Sequence, residues 1–247
     1  MEKSLRLDRF LSDAGKGTRS EVKGLIKKSI VTVNGTVIKD GSFKIKTETD
    51  EVLINGEKVE YSAFLYYMLN KPAGVVSATR DGLSDTVIEL LNGEPVKNLF
   101  PVGRLDKDTE GLLLITNDGM LAHELLSPKK HVDKIYHAVS NKTLGDKELS
   151  AFSKGIDIGD DKPCLPAGIK QIDIGEYEEK CPEKMPCYEV TLREGRYHQV
   201  KRMFEACGAE VVYLKRISMG ALTLDNSLKP GWFRKLTEKE IKQLKNR

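Results

Sequence analysis

Apolar residues recur at Leu7, Phe10, Leu11 and Ala14, the i, i+3, i+4, i+7 stripe of one amphipathic helix. Gly15 and Gly17 interrupt the stripe. Thr18 then opens a capping box with Glu21 ahead of a second helical stripe at Val22, Leu25 and Ile26. Over 31–38 the period changes from helical to alternating. VTVNGTVI is two short β-branched runs joined by Asn34-Gly35, a pair suited to the left-handed backbone of a two-residue hairpin turn. Helix, helix and hairpin within the first 40 residues form one compact unit.

Segment 47–62 is polar and strand-like, and reads as the end of that unit and a linker. The expected division is therefore 1–60 and 61–247. FLYYMLNKPAGVVSATR (64–80) reads as strand, Pro-Gly turn, strand. From there to about residue 225 short apolar strands alternate with a few helices, without a fixed-period repeat. Gly103 and Gly111 form no G-x-G-x-x-G or G-x-x-x-x-G-K-[ST] pattern, so no nucleotide cofactor is expected. The fold class expected is α+β, with a mixed, mostly antiparallel sheet in the larger domain.

Composition narrows the class further. With 39% hydrophobic and 31% charged residues in 247, the chain can bury a real core. The longest apolar stretch, around 63–69, falls far short of the ~20 residues of a membrane helix. No charged-then-apolar signal segment opens the chain, so a cytoplasmic location is expected. Cys164, Cys181, Cys187 and Cys207 show no C-x-x-C spacing, so neither disulfides nor zinc are expected. The net charge of +3 is unevenly spread: residues 1–46 hold eleven Lys/Arg against five Asp/Glu, and 157–187 hold four against eight. Such asymmetry matters when a polyanion is the partner. Nothing suggests an obligate interface, and a monomer is expected.

The densest chemistry lies in GRLDKDTEGLLLITNDG (103–119), where Asp106, Asp108 and Glu110 precede an apolar run. D-x-D-x-E-G resembles the start of a calcium loop, but Asn117 stands where a bidentate Glu belongs and LLLIT is strand-like. D-x-D-T also resembles the aspartyl-phosphate phosphatases, whose motif follows an apolar parallel strand; here Gly103 and Arg104 precede it. A plain charged turn between strands is the structural alternative. In the first unit, Arg19, Lys23 and Lys27 fall at i, i+4, i+8 on one helix face, with Arg6, Arg9 and Lys16 close by in sequence. That spacing suits nucleic-acid phosphates, and equally a solvated surface.

Two resemblances bring these features together. LDRFLSDAGKGTRSEVKGLIKKSIVTVNGTVI resembles the RNA-binding domain named after ribosomal protein S4, over roughly 5–55. GRLDKDTEGLLLITNDG, with NKPAG (70–74), KIY (134–136) and EGRYHQVKRMF (194–204), resembles the pseudouridine synthases, specifically the small-subunit ribosomal RNA branch (RsuA type). The resemblance implies isomerisation of a uridine to pseudouridine in 16S rRNA, at the uridine-516 site in helix 18. The partner implied is 16S rRNA or a partly assembled small ribosomal subunit, with no cofactor and no metal. A large-subunit rRNA synthase of the same superfamily and a non-catalytic assembly factor stand as alternatives.

By the same resemblance Asp106 is the reacting carboxylate and Tyr136 stacks on the target base. Arg104 is a wedge or phosphate contact beside the flipped nucleotide. Asp108 orders the loop, and its presence where relatives acting on large-subunit RNA tend to carry asparagine favours the small-subunit assignment. The HQ-[IV]-[RK] motif supplies a cation for Asp106. Val200, Met203, Phe204 and Cys207 define the buried stripe of that helix, which Lys201 flanks while Arg202 lies near the opposite face. Lys201 is therefore expected to pair with Asp106, and Arg202 to meet RNA phosphate. His198 and Gln199 either take part in the site or hold the helix start. Trp232 is expected in terminal core packing.

Overall fold

The computed structural model describes residues 4–61, 64–94, 96, 98–127, 130–173, 175–177, 181 and 185–246. They form two compact units, 1–64 with 92–98 and 65–91 with 99–247. The end of the expected linker, at Ser62, lies outside the described residues.

The first unit runs β1 (Ser4–Arg6), α1 (Leu7–Asp13), α2 (Arg19–Lys27), β2 (Val31–Val33), β3 (Thr36–Val37), β4 (Lys44–Lys46), β5 (Val52–Ile54) and β6 (Glu57–Lys58). Helix α2 starts where the capping box places it. The Glu21 backbone N–H donates to Thr18 Oγ1 at 3.3 Å, and the Thr18 N–H donates to the Glu21 carboxylate at 2.7 Å. Asn34 and Gly35 adopt φ of 49° and 78°, so β2 and β3 close as a hairpin with Val33 opposite Thr36. Leu7, Phe10 and Leu11 from α1 and Val22 and Ile26 from α2 pack with Val31 and Val52 as one core. Fully burying each such side chain contributes about 1.5–3 kcal/mol.

The second unit comprises β7 (Tyr66–Lys71), β8 (Phe100–Pro101), β9 (Glu110–Thr116), α3 (Gly119–Leu126), β10 (Lys134–Ser140), α4 (Asp146–Lys154), β11 (Gly168–Ile172), β12 (Cys187–Leu192), α5 (Gln199–Ala206), β13 (Val211–Met219), β14 (Leu222–Thr223), β15 (Phe233–Lys235) and α6 (Glu238–Lys245). Its strands make one sheet in the order β11-β12-β10-β13-β9-β7-β15, with β14 beside β13 and β8 beside β9. Only β9 and β13 pair in parallel among these strands. The sheet is mixed and mostly antiparallel, and the class is α+β.

Strands β7 and β9 are buried along their whole length because both faces of the sheet are covered. Tyr67, Leu69, Leu113 and Ile115 face a core that Phe152 of α4 and Phe204 of α5 complete. Tyr66, Met68, Leu112 and Leu114 face a second core, with Leu121 of α3 and Leu244 of α6. Successive residues of a strand point to opposite faces, so a doubly covered strand shows an unbroken apolar run. No described helix is long and apolar enough to cross a membrane.

Two expectations fail here. No second strand follows NKPAG, because the backbone groups there are already used elsewhere. Gly74 N–H donates to Lys107 O at 2.8 Å, and Val76 exchanges bonds with Asp85 and Val87; what remains is an isolated bridge to Thr86. Trp232 is not core but 59% exposed, with the Lys229 ammonium 5.6 Å from its ring centre. Only its backbone is anchored, through Asn70 and Lys229.

The parallel junction has a strict requirement. Gly111 lies opposite Arg216 with φ of +100°, and a Cβ there would sit 2.2 Å from the Arg216 carbonyl oxygen. Both the backbone region and the contact exclude a side chain. Gly111→Ala should destabilise the protein by about 3–5 kcal/mol, the sum of strain and overpacking, as read by urea denaturation; a loss below about 1 kcal/mol would show that β13 yields easily.

Candidate active site

The acidic loop between β8 and β9 forms one wall of a cavity of about 620 Å³ that Asp106, Tyr136, Lys134, His198 and Arg216 also line. That volume lies within the range of small-molecule pockets. The loop is held from beneath by a lysine. Lys71, fully buried at the end of β7, donates its ammonium protons to the carbonyls of Pro72 (3.0 Å), Lys107 (3.1 Å) and Thr109 (2.9 Å). Ser77 fixes the other end: its Oγ donates to Leu105 O at 2.9 Å and accepts from Leu105 N–H at 3.1 Å. Between these anchors the Thr109 N–H closes a turn onto Asp106 O.

Held this way, Asp106 presents its carboxylate to two nitrogens of the β12–α5 segment. Nε2 of His198 stands 3.6 Å from Oδ1, and Nζ of Lys201 stands 3.7 Å from Oδ2. Lys201 bonds more closely to Asp108, at 2.7 Å to each carboxylate oxygen. One ammonium thus bridges two carboxylates 93 residues upstream in the case of Asp108. Desolvation pushes the Asp108 carboxyl up, but the hydrogen bond and charge of Lys201, with His198 nearby, outweigh it and hold the group below the usual range.

Helix α5 delivers Lys201 because its start is fixed. His198 adopts a left-handed φ of 50°. Buried Gln199 accepts from Arg196 N–H at 3.0 Å and donates to Glu194 at 2.8 Å. Val200, Met203 and Phe204 bury the opposite flank. Tyr136, on β10, is 9% exposed: it belongs to the core that Phe152 and Phe204 complete and also lines the cavity. Arg104 stands exposed at the rim.

Arg202 is otherwise engaged. It donates to Asp160 at 2.7 Å, to Ile158 O and to Tyr197 O, and the Arg202 bond holds the Asp160 carboxyl below its ordinary value. An RNA phosphate would have to displace Asp160 to reach it. In the first unit Lys16, Arg19, Lys23 and Lys27 are exposed. Arg6 and Arg9 are exposed too, but ion-paired to Asp8 (2.7 Å) and Asp13 (3.2 Å).

Lys71, Ser77 and Arg216 have no role in the sequence reading. NKPAG locates Lys71, yet its task depends on carbonyls 36 and 38 residues away. The arrangement as a whole is a carboxylate flanked by an ammonium and an imidazole, in a cavity that an aromatic ring also lines and that is large enough for a nucleobase. It can act as nucleophile or general base on a bound base or sugar.

Burial lowers the Lys71 ammonium to about 8, against the opposing pull of Asp108, Glu110 and Asp106. Between that value and the ordinary ~10.4 of lysine, the unfolded chain binds more protons than the folded one. This group's contribution to stability therefore rises with pH across that window. The stability difference between wild type and Lys71→Met should shift in favour of wild type from pH 8 toward pH 10, measured by denaturant unfolding. A difference that stays flat would mean Lys71 titrates normally.

Comparison with known proteins identifies the family. Residues 65–206 match the family described as RNA pseudouridylate synthase, and residues 5–52 match the S4 domain. The chain is 45% identical to the uncharacterized RNA pseudouridine synthase YtzG of Bacillus subtilis, over 96% of this chain and 97% of that one. It is 40% identical to ribosomal small subunit pseudouridine synthase A of Vibrio cholerae, over 96% and 98%. A crystal structure of a pseudouridylate synthase superposes with a TM-score of 0.65 at 36% identity, covering 97% of this chain and 99% of that one. On these grounds the chain belongs to the RNA pseudouridylate synthase family and carries an S4 domain in its N-terminal part.

Proposed function

We propose that this enzyme converts one uridine of 16S rRNA to pseudouridine, at the uridine-516 site in helix 18, with Asp106 as its catalytic carboxylate. The substrate is 16S rRNA or a partly assembled small subunit. The observation that carries the reading is the Asp106 carboxylate poised between His198 and Lys201 at 3.6 and 3.7 Å, in a cavity that Tyr136 also lines. The small-subunit target rests on the relative named for that activity, aligned over 96% of this chain.

The reaction is an isomerisation. The C1′–N1 bond breaks, the base turns, C5 bonds to C1′, and the C5 proton is lost while N1 gains one. Asp106 attacks the sugar or removes a sugar proton at the first step. Tyr136 stacks on the base, which must leave its helix to enter. Arg104, at the rim, contacts the backbone beside the flipped nucleotide, and Lys201 holds the two carboxylates in register. Arg6, Arg9, Lys16, Arg19, Lys23 and Lys27 of the S4 unit meet phosphate.

Carbodiimide primer extension on ribosomes from a deletion strain tests the target. A stop lost in helix 18, restored by wild type and not by Asp106→Asn, supports the reading; an unchanged small-subunit pattern rejects it, and a stop lost from 23S rRNA instead assigns the large subunit. For the S4 unit, reversing Arg19 and Lys23 to Glu should weaken RNA binding and flatten the log K against log salt slope by about 2, one per phosphate contact removed. Unchanged slopes would return both residues to solvated surface.

A further inference from the structure

Arg216 is the buried arginine among the described residues, at 2% exposure. Arg196, Arg202 and Arg234 each pair with carboxylates. Among the described residues Arg216 has no such partner. Its Nε donates to Leu112 O at 2.8 Å, and its Nη2 is buried without a protein acceptor among the described residues. A guanidinium keeps its charge at any ordinary pH, and a buried donor left without a partner is costly, more so when charged. A strand position with this cost calls for an acceptor that arrives from outside.

Its place in the sheet says where that acceptor comes from. Arg216 lies directly opposite Tyr136 across the β10–β13 pair and opposite Gly111 across the β9–β13 pair. Cross-strand partners project to the same face, and both Tyr136 and Arg216 line the cavity that holds Asp106. A pyrimidine stacked on the Tyr136 ring turns its edge sideways, toward the neighbouring strand. The phosphodiester stays with the sugar at the mouth, where exposed Arg104 stands. What reaches a deeply buried guanidinium is therefore the edge of the base, and uracil carries two carbonyl oxygens there.

Resting on the reading of this cavity as a uridine site, we infer that Arg216 binds the target uracil, donating from its guanidinium to one carbonyl oxygen, O2 or O4. When the C1′–N1 bond breaks, its electron pair passes to N1 and spreads onto both oxygens. Arg216 stays protonated and transfers nothing; it stabilises that charge where it gathers. If the oxygen is O4, the same bond selects uracil over cytosine, whose amino group at that position donates rather than accepts.

The test uses the full-length enzyme and a 16S rRNA fragment spanning helix 18, with uridine, 2-thiouridine or 4-thiouridine at the target. Arg216→Gln should lower kcat roughly 100-fold, the cost of removing one donor from a developing oxyanion, with a smaller change in KM. One of the two thio substitutions should slow wild type by about tenfold, the worth of one hydrogen bond to a charged group, and should slow the variant no further. A thio effect of equal size in both enzymes, or a folded variant with wild-type kcat, overturns the inference. Should Arg216→Gln fail to fold, 15N-arginine labelling of wild type decides. The Arg216 guanidinium resonances should shift on adding free uracil, and their failure to move rejects the assignment. Absence of pseudouridine formation by wild type on the fragment would instead indict the target, leaving the uracil titration to judge Arg216.

Discussion

The active site stands or falls with a buried ammonium. Lys71 ends β7, the strand between β9 and β15, has no exposed surface, and spends its protons on the carbonyls of Pro72, Lys107 and Thr109. Carbonyl dipoles replace the water that burial removed, and the acidic loop gains a fixed floor in return. Asp106 is then aimed by backbone rather than by its own side-chain partners, which stand 3.6 Å and more away. The carboxylate proposed to react would profit from that division: its orientation is set from below, and its oxygens remain available to the cavity.

The sheet extends the same logic. Strands β7 and β9 are sealed on both faces, so the loop between β8 and β9 is mounted on a strand packed from both sides. Sites built on such elements hold tighter geometry than sites on free loops. The parallel step from β9 to β13, permitted by Gly111, brings Arg216 beside the loop. The antiparallel step from β13 to β10 brings Tyr136. Three side chains from distant parts of the sequence meet because one glycine lets two backbones approach.

Local signals in the sequence were legible where the physics is local. The capping box at Thr18 and Glu21 and the hairpin at Asn34-Gly35 involve residues within three of each other, and both formed. The unbroken apolar run at 112–115 marks a strand covered on both faces. The strand expected after Gly74 failed because its backbone donors and acceptors are claimed by Lys107, Asp85 and Val87, which no local pattern encodes. Trp232 misled for the opposite reason: aromatic bulk suggests burial, whereas here the backbone is anchored and the ring left outside. Periodicity singled out Lys201 as the cation flanking the buried stripe; that Asp108 would be its nearer partner depends on loop geometry alone. The work of Lys71 and Ser77 was invisible because it is done on carbonyls and amides, which every residue has.

Among the described residues lining the cavity, Asp106 is the sole acid, against Arg104, Lys107, Lys134 and Arg216, with Arg196 already paired to Glu194 and Asp160. A concave surface so weighted concentrates whatever small anions the solution holds, phosphate and chloride alike. Entry of a nucleotide is then an ion exchange as much as a docking event: counterions leave as the base and its phosphate arrive. Buffer anions are, for such a cavity, weak competing ligands.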